Sequence, residues 1–186
     1  MANKKIRLKI KEAMNDLAQN DNVSCDEPYK TVILALESLQ EALSSGSLAP
    51  LPYDLKGSLY DPELLALRSD DEFCEVYDSD FKGTAEETIV SFVCFVLKYD
   101  LMNKKPKIHT KYRSLSCTLG FSRKPLKDIS WYSFKLQDLI LLRKDGMDDE
   151  KNMLYVAYNY FIQFAEAMQF DINVFVKWYL RRINIK

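Results

Sequence analysis

Two carboxylates stand four positions apart in the string Leu36-Glu37-Ser38-Leu39-Gln40-Glu41-Ala42-Leu43. At about 100° per residue on a helix, Glu37 and Glu41 stack on one face, bordered by Ile33 and Leu34 rather than by a fully polar arc. Carboxylates so placed at the edge of a core can hold a hard divalent cation, which takes oxygen ligands and, when it is Mg²⁺, keeps several waters. The same spacing also describes two solvated glutamates on an ordinary amphipathic helix. A second acidic pair, Glu86 and Glu87, opens the apolar run Ile89 to Leu97. Within that run Glu87, Ser91 and Lys98 form a narrow polar stripe. It either faces a cavity or consists of a capping Glu87 and a Lys98 that snorkels at the exit, because an unpartnered buried charge is costly. At the carboxyl end Lys177, Arg181, Arg182 and Lys186 can grip a phosphate through charge-assisted donors, or can complement the negative end of a helix dipole. Tyr155, Tyr158, Tyr160, Trp178 and Tyr179 fit either a stacking wall for a base or a core.

Other chemistries are excluded by composition. The five glycines lie too far apart to write a GxGxxG or Walker-type loop. Cys25, Cys74, Cys94 and Cys117 contain no CxxC pair and read as reduced, partly core cysteines. The single histidine, His109, lies beyond Lys104, Lys105, Pro106 and Lys107 and reads as a linker residue, so a His-rich zinc site is impossible and a nucleophile-His engine has one candidate base. With 26 Lys+Arg against 27 Asp+Glu and 47% hydrophobic residues in 186, the chain is neither a disordered polyelectrolyte nor a bulk binder of nucleic-acid polymer or anionic membrane. No stretch approaches the roughly 20 uninterrupted apolar residues of a membrane span, and MANKKIRLKI lacks the apolar run of a signal peptide, so a cytoplasmic protein is expected.

The elements that must position these residues are helical. Ile6, Ile10, Met14 and Leu17 recur at helical intervals in a first amphipathic helix. Ser24-x-x-Glu27 can box the start of a second, with apolar positions from Val32 to Leu43 and a stop at Ser44-Ser45-Gly46. Pro50 and Pro52 mark a loop, and Asp61-Pro62-Glu63 restarts a helix with Pro62 in its first turn. Asp70 to Asp80 reads as a short amphipathic helix with Phe73, Val76 and Tyr77 on its apolar side, followed by a turn. Thr84-x-x-Glu87 is a capping-box pattern, and the helix behind it is apolar on nearly every side, which makes it the buried centre. Further helices are expected over Ser130 to Arg143, after Gly146 and Asp148 through Met168, and after Asp171; β-structure should be scarce. The expected fold is all-α, one compact helical bundle of about seven helices spanning residues 1–186. Matching spacings in Tyr29-Lys30-Thr31-Val32 and Tyr112-Arg113-Ser114-Leu115 suggest two repeated halves, 27–102 and 110–186.

The phrase VILALESLQEALSSG resembles the first metal-binding helix of the all-α NTP pyrophosphatases, the MazG and dimeric dUTPase superfamily, whose helix carries Glu-Glu-x-x-Glu. Glu37 and Glu41 match the outer positions and Ser38 stands at the second. FKGTAEETIVSFVCFVLKYD resembles the family's next functional helix, with Thr88 and Ser91 where the family has Glu-x-x-Asp. FAEAMQFDINVFVKWYLRRINIK resembles its closing helices, with Lys177, Arg181 and Asn184 as rough counterparts of its basic and Asn residues. The resemblance covers about half the chain. It implies a nucleoside triphosphate bound through Mg²⁺ and hydrolysed with release of pyrophosphate, in a protein that pairs as a homodimer. Glu37, Glu41, Glu86 and Glu87 would hold the metal, Glu41 and Glu87 would serve catalysis, and Lys177 and Arg181 would contact phosphate. The departures at Ser38, Thr88 and Ser91 remove much of the metal-binding charge, so the alternative is an inactive relative or a non-catalytic helical protein-interaction module. Glu75-x-x-Asp78, in the acidic segment, has the spacing to compensate.

Overall fold

The computed structural model of the chain describes residues 28–49, 62–102 and 172–185, together with Leu154, Ala157, Tyr158, Phe161, Ile162, Ala165 and Met168. Five helices are defined among these residues, and none of the described residues is in a strand: α1 (Pro28–Ser45), α2 (Pro62–Ala66), α3 (Asp70–Asp80), α4 (Ala85–Met102) and α5 (Ile172–Asn184). The chain is thus all-helical over its described part, as its periodicity requires. The amino-terminal helix, the Ser24-x-x-Glu27 box, Asp61, His109, Cys25, Cys117, the 130–143 helix, Asp171, Tyr155, Tyr160 and most of the second expected half-repeat fall outside the described residues.

Helix α1 buries Val32, Leu36, Leu39, Ala42 and Leu43, a single stripe at three- and four-residue spacing, and leaves Leu34, Glu37, Ser38 and Glu41 on its wet side. Its end is built by Gly46, whose φ of 70° is a left-handed conformation that costs a side chain dearly and glycine little. The Ser47 amide donates to Ala42 O (2.8 Å) and the Gly46 amide to Leu43 O (3.4 Å), which is the pair of bonds of a Schellman cap.

Ser69 caps α3, its hydroxyl accepting from the Glu72 amide at 3.4 Å, and Asp70, Asp71 and Glu72 sit in the first turn, where the helix dipole favours negative charge. Phe73 and Tyr77, one turn apart, carry the helix into the core, and the Phe81 amide closes it on Tyr77 O. Helix α4 is buried without interruption from Phe92 to Lys98, as a helix apolar on nearly all sides must be. It packs against α1 and α5, while α3 packs against α5.

The core between these helices is rich in aromatic edges. Phe81 meets Phe175 (5.0 Å between centroids) and Trp178 (4.7 Å) edge-on, and Phe92 meets Phe161 in the same way at 4.5 Å. Such geometry sets the positive ring edge against the negative face of its neighbour, and each fully buried Phe adds about 2–3 kcal/mol of transfer free energy. Leu154, Ala157, Phe161 and Ala165 join this core, at helical spacing. No described helix is long and apolar enough to cross a membrane.

Candidate functional site

At the junction between α3 and α4 the predicted site residue Glu87 meets Tyr77, Gly83 and Thr84. Thr84 begins α4: its hydroxyl donates to Phe81 O (2.7 Å) and accepts from the Glu87 amide (3.2 Å). The Glu87 carboxylate reaches back one residue past the usual capping-box partner, taking the Gly83 amide at 2.7 Å on Oε2. Gly83 can present that amide because it sits at φ 76°. On Oε1 Glu87 accepts the Tyr77 hydroxyl at 2.9 Å, so one carboxylate ties the first turn of α4 to the core face of α3. Burial, reinforced by the adjacent Glu87, pushes the Tyr77 phenol well above its usual range, which favours the protonated donor that Glu87 accepts. Partial burial, with Cys94 and Glu87 nearby, pushes the half-buried Tyr179 up to about 12. Burial likewise raises the Cys94 thiol, leaving it an inert core group.

Glu86 points elsewhere. It is buried at 4% exposure and its Oε2 accepts the Ala49 amide at 2.8 Å, while the Ala85 amide donates to Ser47 O at 3.0 Å. Together these bonds pin the segment after α1 to the start of α4. Burial raises the Glu86 carboxyl above the usual carboxylate range despite the opposing hydrogen bonds from the Ala49 amide, its own amide and the Thr84 side chain.

The two positions aligned with the Glu-x-x-Asp motif bond within their own helix: the Thr88 hydroxyl donates to Thr84 O (3.1 Å) and the Ser91 hydroxyl to Thr88 O (3.0 Å). Of the polar stripe on α4, Glu87 is therefore a cap and Ser91 a back-bonded hydroxyl; Lys98 is buried at 8% exposure.

Glu37 and Glu41 lie exposed on α1. Among the described residues no group of three or more His, Cys, Asp or Glu side chains is arranged to hold a metal ion, so Glu37, Glu41, Glu86 and Glu87 do not converge as one ligand set. Nor does Glu75-x-x-Asp78 form such a set: Glu75 is exposed, and Asp78 pairs with Arg182, whose guanidinium holds its carboxyl below the usual carboxylate range.

Lys177 is exposed on α5. Arg181, one turn on, has its guanidinium engaged: Nη1 donates to Leu65 O (3.0 Å), and Nη2 to Arg68 O (2.8 Å) and Asp70 Oδ1 (2.9 Å). The same group lies 4.3 Å from the centroid of the Phe73 ring. It therefore caps the carboxyl end of α2 and clasps the α2–α3 turn to α5. Arg182 makes a two-pronged pair with Asp78, Nε to Oδ1 at 3.0 Å and Nη2 to Oδ2 at 2.8 Å. Tyr158 and Trp178 are buried and Tyr179 half-buried, which is where core aromatics belong.

Sequence reasoning missed the partners rather than the residues. Nothing in the strings around Leu65 or Ala49 marks those backbone groups as acceptor of Arg181 or donor to Glu86. The acidic helix start at Asp70 was the available signal for a basic partner. No protein-family model, no curated protein and no solved structure matches the chain. Over its described residues the chain is helical, and there partly buried acids and an arginine clasp the elements together.

Proposed function

We propose that the chain is a non-catalytic helical interaction module that acts through its surface. The observation supporting this reading is the commitment of Glu86, Glu87 and Arg181 to structural hydrogen bonds, with Ala49, with Gly83 and Tyr77, and with Leu65, Arg68 and Asp70. The Glu87 carboxylate spends two acceptances, and the Arg181 guanidinium three of its donors, on holding helices together, so a metal or a phosphate would compete with bonds that already hold the fold. Pairing with a second copy or with another protein is the action of such a module.

A second reading is a divergent all-α NTP pyrophosphatase using Mg²⁺. It is supported by Glu37 and Glu41, one turn apart and open to solvent on α1, and by the exposed Lys177. Two measurements separate the readings: Mg²⁺-dependent pyrophosphate release across a panel of nucleoside triphosphates, and the thermal shift caused by each nucleotide. The interaction module shows neither. Release that disappears in Glu41→Gln at an unchanged melting temperature would instead establish the hydrolase. Light scattering on the purified chain reports whether it pairs with itself.

A further inference from the structure

We draw no further inference here: the strongest candidate, the exposed apolar patch of Leu64 and Leu67 at the end of α2, carries nothing because nothing in the structure shows what covers it.

Discussion

Replacing Arg181 discriminates a structural clasp from a phosphate ligand. Its guanidinium donates to two backbone carbonyls, and hydrogen bonds from a charged donor are worth about 1.5–3 kcal/mol each. The side chain is 27% exposed and Asp70 64% exposed, so the ion pair itself adds at most about 1 kcal/mol, and the Phe73 ring about 0.5–1 kcal/mol. These contributions share one side chain and do not add in full. Arg181→Ala should therefore destabilise the protein by about 2–3 kcal/mol. Arg181→Lys should lose about 1–2 kcal/mol, because a point ammonium cannot span Leu65 O and Arg68 O as a planar fork does. Urea denaturation at low and at high salt gives both values, and most of the loss should persist at high salt because its larger part is bonding to carbonyls. Arg182→Ala is the internal control. Its pair with Asp78 is a surface pair, worth about 0.5–1 kcal/mol, and should be screened away by salt. The Asp78 carboxyl is held below 3.8 by that arginine, so the pair's contribution is present above this value and fades as pH falls through the lowered one. An Arg181→Lys protein as stable as wild type would refute the clasp.

Glu86→Gln should flatten the pH dependence of stability. Because burial raises the folded-state carboxyl above 4.5, the native state binds the proton more tightly than the unfolded chain. Glu86 therefore favours folding as pH falls through its raised value towards 4.5 and disfavours it above that value. The wild-type minus variant difference in denaturation midpoint, followed across that window, should show this slope; a difference independent of pH contradicts it. Glu87→Ala strands the buried Tyr77 hydroxyl while the exposed Gly83 amide turns to water, so about 1–3 kcal/mol should be lost in urea denaturation, with Tyr77→Phe recovering part of that loss in the double variant. Gly46→Ala meets no atom within 4 Å of the added Cβ, so its cost is purely the left-handed backbone, about 1–2 kcal/mol by the same measurement.

Local chemistry was legible where both partners lie within one turn. Thr84 and Glu87 are three residues apart, and their capping roles follow from that spacing alone. Phe73 and Tyr77 declare the buried side of α3, and Gly46 the end of α1, for equally local reasons. The unbroken apolar surface from Phe92 to Leu97 required a central position, and α4 does lie against both α1 and α5. Arg181 is the opposite case. Its acceptors lie 111 to 116 positions earlier in the chain, and no periodicity encodes a meeting that depends on how α5 returns against α3. Glu86 and Glu87 show the same limit at closer range. Successive helical side chains diverge by about 100°, so one carboxylate turns to the Ala49 amide and its neighbour to Tyr77, and the motif cannot say which contact each will find. The metal-site expectation rested on spacing within α1 and on pattern in α4; spacing along one helix does not fix which acids on another helix will face it.

The most direct test of the account is a calorimetric titration of Mg²⁺ with each common nucleoside triphosphate into the wild-type protein. An interaction module whose acids and Arg181 are already engaged should give only heats of dilution. Saturable, Mg²⁺-dependent binding that is lost in Glu37→Gln or Glu41→Gln at unchanged stability would contradict it.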